Sequence, residues 1–233
     1  MATSSTPGST TTRTTASSAL LPDSILTVAV ERLSGCAALL ADAGVSATAV
    51  TLARLVLAAL GGLLLGFGVF SWAAVLMVCA SLGDAIDGLV ARRTHTASPG
   101  GALLDASVDR YEEFFFLGGL AIHFRDSALL LALALTAIAG SFMVSYGSAK
   151  AEAAGVPVPP GVMRRPERAI CLCLGVSLSA IAVALKEPGT GPTWVPVAPI
   201  FVALGGVALL ANVSAVARLR HIARISGRWR RAR

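Results

Sequence analysis

Residues 84–109 read DAIDGLVARRTHTASPGGALLDASVD, and they set four aspartates in or at the ends of two otherwise apolar segments. Asp84 and Asp87 are three residues apart, and Asp105 and Asp109 are four apart, so on helices each pair shares one face. An aspartate near the centre of a membrane helix costs on the order of 2.5–3.5 kcal/mol, so four of them facing lipid would cost on the order of 10 kcal/mol. The pattern is tolerable only with compensation. Four carboxylates converging from adjacent antiparallel helices offer hard oxygen ligands in number enough for two divalent cations of the Mg²⁺ or Mn²⁺ kind. Helix-end acids in headgroup water are the bland alternative, better for any one of the four than for all together.

The rest of the chain explains why the segments around them are read as membrane helices. It has 233 residues, of which 55% are hydrophobic and 14% charged, with a mean hydropathy of +0.75. Soluble domains carry about a quarter of charged residues, so the composition is that of an integral membrane protein. A net charge of +6 in so apolar a chain is read as basic cytoplasmic loops, and no nucleic acid partner is expected. Cys36, Cys79, Cys171 and Cys173 sit in or beside apolar runs without zinc-like pairing, and are expected to be buried thiols in a reducing setting.

The expected fold class is all-α integral membrane: an N-terminal amphipathic surface helix followed by six transmembrane helices. Twelve of the first eighteen residues are Ser or Thr, so residues 1–21 are expected to form a disordered tail. Over 22–44, Ile25, Val28, Val30, Leu33, Ala37 and Leu40 recur at roughly helical spacing among Asp23, Glu31, Arg32 and Asp42, which suits a helix lying on the membrane surface. Apolar stretches near 47–68, 71–91, 101–123, 128–149, 166–185 and 194–217 approach the roughly 20 residues a span requires. Gly61, Gly62 and Gly66 are read as helix contacts. Cations gather in alternate connections, at Arg92 and Arg93, at Lys150, Arg164, Arg165 and Arg168, and in a basic tail over 219–233. By the positive-inside rule both termini and those loops face the cytoplasm, in a membrane expected to be a bacterial inner membrane.

Around the acids, Gly88 and Ala91 leave a helix face bare for a ligand, and Arg92 offers a planar donor for phosphate oxygens. Gly100 and Gly101 leave the next helix opening uncrowded, where free N–H groups favour anions. The set Asp84, Asp87, Gly88, Ala91, Arg92, Gly101, Asp105 and Asp109, at its fixed spacing, resembles the complete motif of the CDP-alcohol phosphatidyltransferase family. The resemblance covers roughly residues 22–218, taken as the membrane domain. It implies a homodimer with a cytoplasm-facing, two-metal active site in each subunit, joining a CDP-diacylglycerol-type lipid from the membrane to a small polar alcohol with release of CMP.

By that resemblance Asp84, Asp87, Asp105 and Asp109 are metal ligands, and Asp109 is also the general base for the acceptor hydroxyl. Thr51, Asp84, Gly88, Ala91, Arg92, Gly101 and Asp105 would take the CDP moiety. Many relatives carry Asn-x-(Leu or Ile)-Thr-xx-Arg at the start of the first span. Thr51 and Arg54 match that element, whereas Thr48 stands in place of the asparagine. For Arg54 a role in the pocket is favoured over snorkelling to the interface.

The segments from Asp109 to Tyr111, Ser145 to Gly155 and Arg165 to Arg168 resemble the branch that uses inositol phosphate. Arg110, Lys150, Arg165 and Arg168 are accordingly the expected acceptor-binding residues, suited to clamping a phosphate dianion. That branch often has Lys-Ala-Arg where this chain has Ser148-Ala149-Lys150. Glu113, with Glu112 beside it, stands where relatives carry a further acid; a pocket contact and a merely polar groove are both open readings. Relatives using glycerol 3-phosphate to make phosphatidylglycerophosphate typically show Asp-Pro-Leu-Ala-Asp-Lys, which Asp105 to Arg110 does not match. From another class, a small ion-binding transporter would explain the acids but not Gly88, Ala91, Arg92 and Gly101. His95 and His123 are each solitary and form no metal set.

Overall fold

A computed structural model describes residues 23–157, 163–186 and 194–231. The expected Ser/Thr-rich tail lies outside them, as do the side chains of Asp23 through Glu31. Among the described residues all regular structure is helical: α1 Asp23–Asp42, α2 Ala47–Gly66, α3 Phe70–Arg93, α4 Pro99–His123, α5 Ala128–Ala153, α6 Arg165–Leu185 and α7 Ala198–Arg231, the last preceded by a 3₁₀ turn over Val195–Val197.

Local sequence sets the helix starts. Ser46 caps α2, its Oγ accepting from the Ala49 N–H at 3.2 Å, and Ser98 caps α4 ahead of Pro99 in the first turn. Glu167 closes the opening of α6 by accepting from the Arg164 N–H at 2.9 Å. The α2–α3 connection turns through Gly68 at φ 76°, a left-handed conformation that L side chains rarely adopt.

Helices α2, α3 and α4 form the part of the bundle that carries the acids; α2 packs on both α3 and α4, while α5 packs on α7 and α4, and α6 on α3 and α7. Gly62 explains the closeness of α2 to α4. A Cβ there would collide with the Phe115 carbonyl, and one on Gly119 would collide with the Gly62 carbonyl. The expected small-residue contact is thus a backbone-to-backbone one. The core between these helices includes Leu65, Met77, Leu117, Leu120, Leu204 and Val207.

Among the described residues, five helical segments are long and apolar enough to cross a bilayer: Ala47–Gly66, Phe70–Arg93, Ala128–Ala153, Arg165–Leu185 and Val195–Ile225. They coincide with five of the six expected spans, and the remaining one, near 101–123, falls on α4. Helix α4 has the length, 25 residues, but Asp105, Asp109, Arg110, Glu112 and Glu113 fall between its second and fourth turns. The cysteine expectation is corrected, since Cys36 and Cys79 are exposed and Cys171 and Cys173 only half-buried, all four as free thiols. The physical reason is the same one that leaves Val56, Leu63, Trp72 and Leu178 exposed on the outer faces of these helices. A bundle that lipid can solvate need not turn its apolar side chains inward, so an apolar neighbourhood in sequence does not mean burial in protein. Helix α7 continues without a break past residue 218, where the basic tail was expected to begin.

Candidate active site

Thr51 and Arg54 lie three apart on α2 and so share a face, which is turned towards α3 and α4. Arg54 is 1% exposed, and its guanidinium stands at the centre of five carboxylates. Nη1 donates to Glu112 Oε2 at 2.9 Å and lies 3.0 Å from Asp84 Oδ1. Nη2 donates to Asp109 Oδ1 at 2.8 Å and also to Asp105 Oδ1. Nε lies 3.1 Å from Asp87 Oδ2 but lacks the alignment of a hydrogen bond. That oxygen accepts instead from the Thr51 hydroxyl at 2.8 Å.

A second arginine reaches the same acids from α6. Arg165 donates to Asp84 Oδ2 at 2.7 Å and to Glu112 Oε2 at 3.2 Å, and it lies 2.8 Å from Asp109 Oδ1. Beside it, the buried Arg168 makes a two-pronged pair with Glu113, Nε to Oε1 at 2.5 Å and Nη2 to Oε2 at 3.0 Å, and gives Nη1 to the Met163 carbonyl. Around Arg54, five carboxylates meet only two guanidiniums, so three formal negative charges are unmatched among these groups. A cluster so composed favours added cations.

Asp84, Asp105 and Asp109 each turn one carboxylate oxygen to within 4.8 Å of the others, while Asp87 is engaged with Thr51 and Arg54 beside them. Oxygen donors of this kind and spacing fit Mg²⁺ or Mn²⁺. Three of the four expected ligands therefore converge, and the fourth adjoins them.

Two cavities flank the cluster. The larger, about 850 Å³, is lined by Thr51, Asp87, Gly88, Ala91, Arg92 and Gly101, and extends to Asp105. Of the residues expected to hold a CDP moiety, only Asp84 is absent from its wall. The expected anion-favouring helix opening is reduced: Pro99 has no N–H, and Gly101 donates its own to Ser98 Oγ at 3.1 Å. The smaller cavity, about 270 Å³, is lined by Asp109, Arg110, Glu113, Ser148, Arg165 and Arg168, among others. Three of the four expected acceptor-binding cations line it. Lys150 does not; it is exposed, with Nζ 5.6 Å from the centroid of the Tyr146 ring.

Sequence reasoning undervalued Glu112, which joins Arg54 to Arg165 while only 4% exposed. A signal was present, because residues 105, 109 and 112 fall on one helix face. Arg54 lines neither cavity but sits behind both.

A bundle of helices long and apolar enough to cross a bilayer, with an acidic centre lodged between two clefts, is that of a helical membrane protein. The chain is a member of the CDP-alcohol phosphatidyltransferase family, whose sequence profile matches residues 45–217.

It is 36% identical over 141 residues to the phosphatidylinositol phosphate synthase of Mycolicibacterium smegmatis, a match covering 59% of this chain and 64% of that one. It is 36% identical over 154 residues to the bifunctional IPC transferase and DIPP synthase of Rubrobacter xylanophilus, covering 64% of this chain and 35% of that protein. The chain thus spans less than two thirds of the length of either relative. Among solved structures it resembles Mycobacterium tuberculosis phosphatidylinositol phosphate synthase with CDP-DAG bound, at TM-score 0.69 and 27% identity over 82% of this chain and 92% of that one. The same enzyme in complex with manganese and citrate matches at TM-score 0.69 and 26% identity over 82% and 88% of the two chains.

Proposed function

We propose that this protein transfers a phosphatidyl group from a CDP-linked lipid to the hydroxyl of a small phosphorylated alcohol, inositol phosphate, in a metal-dependent reaction that releases CMP. The observation that carries this reading is the placement of the two cavities, one reaching Asp105 and the other Asp109, on either side of a cluster in which those acids and Asp84 come within 4.8 Å. Two substrates entering from the two sides would meet at the carboxylates.

Asp84, Asp87, Asp105 and Asp109 would hold two Mg²⁺ or Mn²⁺ ions. Bound there, the metals supply charge neutralisation to the diphosphate and to the departing CMP oxygen. Thr51, Gly88, Ala91, Arg92 and Gly101, with Asp84 and Asp105, receive the CDP moiety; the small side chains give it room and Arg92 gives it donors. Arg110, Arg165 and Arg168 receive the acceptor, whose phosphate suits a cavity rich in guanidinium groups. Asp109 takes the hydroxyl proton as the new O–P bond forms and the bond from phosphorus to the CMP oxygen breaks. The names and bound ligand of the relatives support the same substrate classes.

In the reading favoured here α4 is a sixth span. Arg54 and Arg165 neutralise part of its acidic face, which lowers the cost of holding it in the membrane. Helix α1 rests on the surface, the active site and both termini are cytoplasmic in a bacterial plasma membrane, and the protein works as a homodimer. The 22–218 segment forms the catalytic domain, with the basic residues after it facing the cytoplasm.

Purified protein supplied with CDP-diacylglycerol, Mg²⁺ or Mn²⁺ and a panel of inositol phosphate, glycerol 3-phosphate, serine and inositol tests this directly. CMP release is expected with inositol phosphate and is expected to stop on chelation by EDTA. Absence of metal-dependent release with every acceptor would sink the reading, and release with glycerol 3-phosphate alone would replace the acceptor.

A further inference from the structure

One face of α7 changes character along its length. Val202, Leu209, Val213 and Val216 are all exposed, and on one continuous helix their spacing puts them on a single side. Arg220 and Arg224 are exposed as well, and the steps of four residues that lead to them from Val216 keep them on that side. In sequence the same spacing continues to Arg228 and Arg231. A strip that is apolar where lipid tails would lie thus turns cationic along the same line.

Within its own helix nothing answers these charges. Helix α7 carries six arginines and no aspartate or glutamate, so the i, i+4 ion pairs that exposed arginines commonly make on a helix cannot form. Among the described residues neither Arg220 nor Arg224 forms an ion pair, whereas Arg54, Arg93, Arg165 and Arg168 all do. Neither lines a cavity beside the carboxylates. Gly140 stands beside Asn212 and Gly147 beside Leu219, so α5 and α7 run parallel, and Ala153 at the end of α5 falls level with Ile225. Helix α7 continues past that level.

The depth fits a headgroup. At 1.5 Å per residue, Arg220 stands about 6 Å and Arg224 about 12 Å along the axis beyond Val216. The headgroup layer outside the hydrocarbon is roughly 5–7 Å deep, so the two arginines bracket its outer part. The positive-inside rule requires only that cations flank a span, and a helix C-terminus favours them in its last turn. Neither requirement places them in line with an exposed apolar strip.

We propose that this face of α7 binds anionic phospholipid, with an acyl chain along Leu209, Val213 and Val216 and the lipid phosphate held between Arg220 and Arg224. Guanidiniums one turn apart offer paired N–H donors to phosphate oxygens, while their stems extend the apolar strip. A zwitterionic lipid brings its own ammonium group, which cancels much of the attraction, so the strip discriminates by net charge. Arg228 and Arg231, further along the axis, add to the pull of the helix on an anionic leaflet. The assignment does not depend on which substrates the two cavities take.

The test titrates the purified full-length protein, in neutral detergent without divalent metal, with dioleoylphosphatidylglycerol or dioleoylphosphatidylcholine. Bound lipid is counted by native mass spectrometry, and the thermal midpoint is followed in parallel. Wild type is expected to hold phosphatidylglycerol about tenfold more tightly than phosphatidylcholine and to gain thermal stability from it. Replacing both arginines, Arg220→Gln with Arg224→Gln, should abolish the preference and leave the lipid-free midpoint unchanged. The pair Arg220→Lys with Arg224→Lys should keep most of it. Should the glutamine pair not fold, Arg224→Gln alone carries the test, with roughly a threefold loss of affinity. Equal affinity of wild type for the two lipids, or an undiminished preference in the glutamine variant, overturns the proposal. So does a single-stranded oligonucleotide that displaces phosphatidylglycerol from wild type, which would make these arginines a nucleic-acid surface instead.

Discussion

The larger cavity is bounded on its helix faces by residues with little or no side chain, the smaller by guanidiniums and carboxylates held in pairs. Gly88, Ala91 and Gly101 shape the first by leaving space. Arg165, Arg168 and Glu113 shape the second by contacts between α4 and α6, and Ser148 brings in α7 through Arg218. A site made by absence of side chains tolerates little variation in spacing, and here the bare positions come from α3 and α4 with Thr51 of α2 beside them. A site made by long charged side chains can draw its charges from any helix that comes near. The first is expected to be generic to a nucleotide-linked donor, the second particular to the acceptor.

The largest effect should come where the cavities meet. Asp109→Asn keeps the size and most hydrogen bonds of the side chain but cannot take a proton, so turnover should fall about 10³-fold, in the range for loss of a general base. Binding of CDP, followed by calorimetry with Mg²⁺ present, should change little, because Asp109 lines the smaller cavity and not the larger. A variant with full turnover would remove Asp109 from the proton-transfer role.

Next is Arg54, which serves both sides and touches neither. Arg54→Met leaves five carboxylates facing one another with Arg165 as their remaining guanidinium. Removing one partner of a buried ionic set costs about 3–5 kcal/mol. The thermal midpoint in detergent should drop by several degrees, and added Mg²⁺ should narrow the gap by neutralising the same oxygens. An unchanged midpoint without metal would show that the acids do not depend on Arg54.

A smaller and one-sided effect is expected from Ala91→Leu. Three added carbons project into the larger cavity, so KM for CDP-diacylglycerol should rise roughly tenfold, equivalent to ~1.4 kcal/mol, while KM for the acceptor holds. If both rise together, the two cavities are not separate binding sites.

The contrast also explains what was legible in sequence. The four aspartates, Gly88, Ala91, Arg92 and Gly101 lie within 26 consecutive residues on two helices joined by a short loop, and helical spacing puts each pair of acids on one face; α2, packed on both helices, joins the two faces. Helix α4 is the span least legible by hydropathy because the candidate site lies on it: the acids on its face take it outside the apolar criterion. The acceptor side was only half legible. Arg165 and Arg168 precede or enter an apolar helix and announce themselves, but nothing local to Ser148 says that a guanidinium 70 residues later would reach it. Likewise Glu112 looks like one of a pair of polar residues until α2 and α6 are packed against it. Pairing across helices depends on which helices adjoin, and the spacing within each carries no record of that.

Lys150 gives the smallest expected effect and the sharpest division between proximity in sequence and membership of the site. It follows Ser148 by two residues, and a helix places residues two apart on different faces. Ser148 accordingly lines the smaller cavity, and Lys150 stands exposed beside Tyr146. An exposed cation at that remove contributes to attracting an anionic acceptor rather than to holding it, and such steering is screened by salt. Lys150→Ala should therefore raise KM for inositol phosphate no more than about twofold at low ionic strength, with the difference lost near 0.15 M salt, where the Debye length is about 8 Å. A salt-independent rise of about tenfold, the loss of one charge-assisted contact, would place Lys150 in contact with the acceptor, and would move the boundary of the smaller cavity outward by one helical face.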